Sequence, residues 1–308
     1  MTTQSEIILH HYPASPYSEK VRLFLGFKQI DWLSVITPAT LPKPDLTILT
    51  GGYRRAPVLQ IGSDLFCDST LILETLDRLF PKPELSTEHQ NSFTAKVLGQ
   101  YVDTEVFLKV ARFVMGSYAQ KLPQELVDDR AAMQPNLKLS RKDIESEVPY
   151  LNLSLSKLLP ELGGVLGEKL YFGGETPAAG DFAIYHPFWF LNTIRKFKPM
   201  VPKNENLHNW FARMKEFGHG NSTLLSAEDA LSRALATSPK FLETQTEAID
   251  GFMLGQNITV HPENYEHEKI FGRLASIDSS QIILSHETEK TGIVHVHLPR
   301  LRYLVQPA

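Results

Sequence analysis

Ser15-Pro16-Tyr17-Ser18 places two hydroxyls at the spacing of a redox Cys-Pro-Tyr-Cys pair, with oxygen in both sulfur positions. A hydroxyl cannot form a disulfide, so disulfide exchange through this chain's own residues is not expected there. Ser15 falls where the apolar run "IILHHY" ends and a helical pattern begins. Ser at an N-cap with Pro next to it is an ordinary helix start. The same place also attracts anions, through free N–H groups and the helix dipole. A thiolate held there gains ~0.3–1 kcal/mol from the dipole and ~1.5–3 kcal/mol from a hydroxyl donor. Together these lower a thiol from its usual ~8.5 by about one to two pKa units. The nucleophile would then come from a ligand, and the protein needs no sulfur of its own.

Two further stretches invite the same double reading. Pro57 directly precedes the strand-like "VLQIG". A trans proline can open a strand; a cis Ala56-Pro57 bond would turn the chain and bare the Ala56 N–H and C=O for antiparallel pairing with a peptide-like ligand. Asp68-Ser69 opens a helical pattern, where either residue is a normal cap. The pair also suits a zwitterionic amino-acid head group, with the Asp68 carboxylate on an α-amino group and Ser69 with the helix N–H groups on an α-carboxylate.

The elements that must position these residues follow from periodicity. Residues 7 to 80 alternate strand and helix patterns: "IILHHY", a helix over Pro16–Phe27, "WLSVIT", a Pro/Gly-rich loop with room for one short helix, a hairpin across "GSD", and a helix from Ser69. The order implies a small mixed sheet covered by helices. "FPKPEL" is a linker. Residues 86 to about 237 show helical patterns and no convincing strand. From about 250 the period changes to two, and five short strands suggest a small barrel or sandwich. The expected domains are 1–82, 83–238 and 239–308, which suits a 308-residue chain.

Composition narrows the function classes. A net charge of -4, with 42% hydrophobic and 21% charged residues, describes a globular protein with no electrostatic footprint for nucleic acid or an acidic membrane. The single cysteine, Cys67, fits a reducing compartment. "EIILHHY" is too short for a signal-peptide core and lacks a basic flank. No run approaches the ~18 apolar residues of a membrane span. A cytoplasmic location is expected.

The span from "ILHHYPASPYSEKVRLFL" through "RRAPVL" to "CDSTLILETL" resembles the thioredoxin-like N-terminal domain of cytosolic glutathione transferases, and "YFGGETPAAGDFAIYHPFWFL" resembles their all-α C-terminal domain. The resemblance covers residues 5 to 235 and leaves the tail unexplained. It implies a serine-type glutathione S-transferase with an α/β thioredoxin-like domain and an all-α electrophile-binding domain, while the additional small all-β, barrel-like domain of unknown role is expected from periodicity alone. By the resemblance Ser15 hydrogen-bonds the glutathione sulfur, Ala56-Pro57 pairs with the cysteinyl backbone, and Asp68 and Ser69 hold the γ-glutamyl end. Arg55 lies near the glycyl carboxylate, and Asp181 caps a helix. Tyr12 and Tyr17 stand as alternative catalytic or pocket groups. Ala178 departs from the family's Ser or Thr three residues before that aspartate, so the capping box is incomplete. Glutathione is a co-substrate, no other cofactor is implied, and a detoxifying homodimer is expected. The alternative is a non-catalytic glutathione-binding or regulatory module.

No metal site is expected. His295 and His297 share one strand face, with Val294, Val296 and Leu298 opposite, and a metal would need more ligands. His261 and His267 are near in sequence without a convincing spacing. Cys67 reads as a buried core thiol.

Overall fold

The computed structural model describes residues 6–133, 140–193, 204–241, 248–249, 251–265 and 268–308, so His267 lies outside the described residues. The chain forms two compact units, one of Met1–Ser18, Asp31–Thr75 and Asn221–Ala308, the other of Glu19–Ile30 and Leu76–Gly220.

The first unit begins with β1 (Ile8–His11), the start of α1 (Pro16–Phe27), β2 (Asp31–Ile36), α2 (Pro44–Thr50), β3 (Val58–Ile61), β4 (Asp64–Cys67) and the start of α3 (Ser69–Leu79). This is the order that the periodicity predicts, and it is the thioredoxin-like order that the resemblance implies. β1 runs parallel to β2 and antiparallel to β3, and β3 and β4 form the expected hairpin. After the helical unit the chain returns as β5 (Asn221–Leu224), α11 (Ala227–Leu235), β6 (Ala248–Ile249), β7 (Phe252–Met253), β8 (Asn257–Pro262), β9 (Ile270–Ile277), β10 (Gln281–Thr288), β11 (Gly292–Pro299) and β12 (Tyr303–Pro307).

The tail is all-β, but its strands do not stand apart as residues 239–308 alone. β11 pairs in parallel with β4, through His295 with Asp64, Val296 with Leu65 and His297 with Phe66. The result is one ten-stranded sheet in the order β12-β8-β9-β10-β11-β4-β3-β1-β2-β5. Beneath it, Leu46, Leu49, Val58, Leu65 and Cys67 share one core with Ile258, Ile270, Leu284, Val294, Val296 and Leu298. β4 would otherwise present an unpaired row of N–H and C=O groups, and the tail covers it. The strand β5, which pairs with β2, is a second departure, inside a stretch read as all helix. Its sequence "NSTL" is fully exposed, so no alternation marks it.

The second unit holds α4 (His89–Tyr101), a π-turn at Val102–Val106, α5 (Phe107–Ser117), α6 (Gln124–Met133), α7 (Arg141–Ser146), α8 (Val148–Leu166), α9 (Ala179–Asn192) and α10 (Glu205–Glu216). α8 buries Leu151, Leu155, Leu159, Leu162 and Leu166, a stripe at helical spacing. Where α4 meets α9, a Cβ on Gly180 would lie 1.9 Å from the Ala95 carbonyl oxygen, so only glycine permits the approach. Asp181, fully buried, accepts from the N–H groups of Phe172, Gly173 and Ala178 and from Trp210 Nε1, all between 2.8 and 3.0 Å. Ala178 returns no side-chain bond, so the box is half present, and Asp181 acts as a structural clamp. Among the described residues no helix is long and apolar enough to cross a membrane.

Two stability predictions follow from this packing. Removing residues 239–308 bares Leu46, Leu49, Val58, Leu65 and Cys67 together with the β4 edge. At ~1.5–3 kcal/mol for each of the four aliphatic side chains, the loss rivals the ~5–15 kcal/mol that holds a typical domain together. A 1–238 variant should therefore aggregate or lose cooperative unfolding; a monodisperse protein with an unchanged melting midpoint would refute this.

The second concerns His10, which is buried with Nε2 2.7 Å from Gln60 Oε1, and which burial pulls from 6.5 down to about 4. Between those values the unfolded chain binds the proton and the folded chain does not. Stability from this group is present above pH 6.5 and is lost as pH falls toward 4, at up to ~1.4 kcal/mol per pH unit. The stability difference between wild type and His10→Asn, from urea unfolding, should shrink from pH 7 to pH 4.5. A constant difference would show that His10 does not titrate with folding.

Candidate functional site

Register brings three of the sequence motifs to one end of the sheet. His10 of β1 faces Val58 of β3, and Val58 faces Cys67 of β4. The residues beyond those positions therefore emerge together: Tyr12–Ser15 after β1, Ala56-Pro57 before β3, and Asp68-Ser69 after β4. Adjacent strands are ~4.8 Å apart, so the three groups span about 10 Å, the breadth of a small peptide.

Ser15 is buried and caps α1: its Oγ accepts the Ser18 N–H at 3.2 Å. Its own N–H donates to the Tyr12 carbonyl at 3.1 Å, closing the turn that connects β1 to the helix. The hydroxyl oxygen is thus held by the helix N-terminus, and its proton is left to donate. Tyr12 is half-buried with Lys43 Nζ 5.6 Å from its ring centre, and Tyr17 is half-buried at the second position of α1.

The Ala56-Pro57 bond is cis, the first of the two readings of Pro57. Asp68 has a left-handed φ of 78°, unusual for any residue but glycine, asparagine or aspartate. Its N–H donates to Tyr53 Oη at 3.2 Å, and its Oδ1 accepts the Thr70 N–H at 2.9 Å as the cap of α3. Ser69 is buried at the first position of that helix. Burial pushes the Tyr53 hydroxyl well above its usual range, so it stays a neutral dipole beside Asp68.

Arg55 is engaged within the chain. Its Nε donates to Glu268 Oε2 at 2.8 Å, and its guanidinium lies 4.2 Å over the Tyr265 ring. Burial opposes the charge, but Glu268 holds it above the ordinary arginine value. The Arg54 N–H also reaches Glu268, and Phe271 N–H donates to Gly51 O at 2.9 Å. A Cβ on Gly51 or Gly52 would lie 2.5 Å from the Phe271 or Lys269 carbonyl oxygen, which explains the Gly-Gly pair. The tail therefore clamps the loop that leads into the cis proline. Nothing local in "ENYEHEK" signals this role, because it depends on a pairing more than 200 residues away. Cys67 is fully buried, and burial raises its thiol well above the usual range, so it does not supply a nucleophile.

The helical unit holds a second cluster that sequence reasoning missed. Lys20 is buried with Nζ 2.6 Å from Asp103 Oδ2, and His186 Nε2 lies 3.5 Å from Asp103 Oδ1. Asp103 sits in the π-turn, a geometry that often accompanies functional positions. Its signal was a helix-compatible "VDTEV" with one charge aimed inward.

Comparison with known proteins agrees with this geometry. Residues 9–84 match the family described as glutathione S-transferase, N-terminal domain. A GST-like protein from Pseudomonas syringae of known structure is 33% identical, over 99% of this chain and all of that one, with a TM-score of 0.74. Glutathione S-transferase U25 of Arabidopsis thaliana is 23% identical over 194 residues, covering 62% of this chain and 76% of its own. A theta class glutathione S-transferase from Xanthomonas axonopodis pv. citri, solved with glutathione bound, shares the fold at 14% identity and a TM-score of 0.53 over 69% of this chain and 93% of its own. With a thioredoxin-like sheet, a cis proline at its site end and full-length similarity to a GST-like protein, the chain belongs to the glutathione S-transferase family.

Proposed function

We propose that this chain is a glutathione-conjugating enzyme in which Ser15 stabilises the glutathione thiolate. The observation that carries the reading is the state of Ser15, whose oxygen accepts the Ser18 N–H while its proton remains to donate. A hydroxyl polarised by a helix N-terminus is a better donor to sulfur than a solvated one. The cysteinyl backbone of the ligand pairs with Ala56 beside the cis proline, and the γ-glutamyl amine and carboxylate fall to Asp68 and to Ser69 with the N-terminus of α3. The ionised sulfur then attacks an electrophile, a step that needs only a thiolate and a positioned partner. Arg55 is not assigned to the glycyl carboxylate, because Glu268 already neutralises it. A cytoplasmic location suits a site that uses a free thiol.

A homodimer belongs to the same proposal. Phe93, Val97 and Tyr101, each at least 45% exposed, form an i, i+4, i+8 stripe on α4, and a second copy would cover it.

Ser15→Ala should keep glutathione affinity within a few fold but slow conjugation by roughly ten- to a thousandfold, the range for one lost transition-state donor. Thiolate absorbance in the ultraviolet should fall with it at neutral pH. A wild-type protein that binds glutathione without ionising it would instead support a non-catalytic binding module. A fully active Ser15→Ala with a dead Tyr12→Phe would move the role to Tyr12.

Asp68→Asn keeps the cap acceptor and tolerates the left-handed backbone, so it removes charge alone. Losing a charge-assisted bond of ~1.5–3 kcal/mol should weaken glutathione binding by about ten- to a hundredfold at unchanged fold stability. Unchanged affinity by calorimetry would leave Asp68 as a cap only.

A further inference from the structure

We propose that Asp64, His295 and His297 form a zinc site that pins β11 to β4. One metal-ligand atom from each lies within 4.8 Å of the other two. The parallel register sets His295 directly beside Asp64, and the two-residue strand period returns His297 to the same face. That face is opposite the Val294, Val296 and Leu298 core face. Asp64 and His297 are almost completely buried and His295 is half-buried; His297 stacks on Phe66 at 4.3 Å between ring centres.

The hydrogen bonding admits a cation. His297 Nδ1 faces Gln281 Oε1 at 3.3 Å, and His297 Nε2 faces Asp64 Oδ1 at 3.0 Å. If Nδ1 carries its proton toward Gln281, the Nε2 lone pair points at a carboxylate oxygen, and something positive must lie between them. A second proton or a metal ion meets that need, as does moving the single proton to Nε2 with the Gln281 amide turned to donate to Nδ1. His295 decides in favour of the metal. Its Nδ1 is closed to solvent and has no hydrogen-bond partner among the described residues, although the ring lies 6.4 Å from His297 between centres. A proton shared by Asp64 and His297 leaves that nitrogen idle, whereas a metal would take it as a third ligand.

Two imidazoles and one carboxylate are a zinc donor set, with a fourth position for water. Zinc bonds of ~2.0–2.2 Å place tetrahedral ligand atoms about 3.3 Å apart. The observed 3.0 Å contact and 4.8 Å limit bracket that value, so small side-chain rotations close the site. Outer partners are in place, with Gln281 on His297 and the Lys240 N–H on Asp64 Oδ2 at 2.8 Å. Because the ligands come from β4 and from β11, occupancy would tie the C-terminal strands to the thioredoxin-like sheet.

The test is zinc titration of the full-length, chelator-treated protein by calorimetry, with Co(II) as the spectroscopic probe. One zinc ion per chain should bind, and Co(II) should give the intense visible bands of a four-coordinate site. His295→Ala should weaken zinc at least tenfold, remove those bands and abolish the zinc-induced rise in melting midpoint, while the exposed His208→Ala should change none of these. If His295→Ala folds poorly, His295→Gln fills the volume and the comparison is made there. No zinc binding, or binding unchanged by either His295 substitution, would overturn the proposal and leave a proton between Asp64 and His297.

Discussion

The parallel pairing of β11 with β4 is the contact on which the first unit depends. A thioredoxin-like sheet ending at β4 would leave Asp64–Cys67 as an open edge, with Leu65 and Cys67 uncovered on one face. Closing the tail over that edge removes both liabilities and creates a third, because Asp64 becomes buried. A buried carboxylate without partners costs several kcal/mol. His297 and the Lys240 N–H arrive with the same strands that bury it. Coverage and compensation are thus supplied by one segment, and neither is useful alone.

The same segment acts on the site end of the sheet. Glu268 neutralises Arg55 and reaches the Arg54 N–H, while Phe271 holds Gly51. The loop before the cis proline is therefore fixed from outside the thioredoxin-like element, and a ligand carboxylate would have to compete with Glu268 for Arg55. Arg55, which the resemblance places near the glycyl carboxylate, is thus also a partner of the tail through its Nε.

What could be read from sequence was what local chemistry decides. Ser15, Pro57 and Asp68 each sit at an element boundary, where capping and backbone rules act within four residues; Ser15 and Asp68 have the expected cap form, and Pro57 takes one of the two forms its sequence left open. The five tail strands were legible from Val294, Val296 and Leu298 and their neighbours, which alternate cleanly. Their partner was not, since period two fixes which face a residue takes and says nothing of which edge it joins. The same gap hid Asp64 from His297, Arg55 from Glu268 and the polar edge strand β5 from β2. Lys20 and Asp103 were missed for a related reason: inside amphipathic helices a charge reads as surface unless its partner is known.

Each site group also does structural work, and this shapes how the site can operate. Ser15 Oγ, Asp68 Oδ1 and the N-terminus of α3 are engaged in caps before any ligand arrives. Caps contribute ~0.5–2 kcal/mol each, enough to hold the donors in place and too little to oppose the stronger charge-assisted bonds of a ligand. An engaged hydroxyl is also a preorganised one. Its oxygen is fixed by the Ser18 N–H, so the proposed donation to a thiolate would cost only a rotation of the O–H bond. A sulfur at residue 15 would lie at the same helix terminus and would itself tend to ionise. It would then repel the incoming thiolate, or exchange with the disulfide of oxidised glutathione to give a mixed disulfide and a released glutathione thiolate, whereas oxygen at that position can only donate. In the proposed role, exchanging sulfur for oxygen in the Ser-Pro-Tyr-Ser frame would change the residue from a reactant into a host for one.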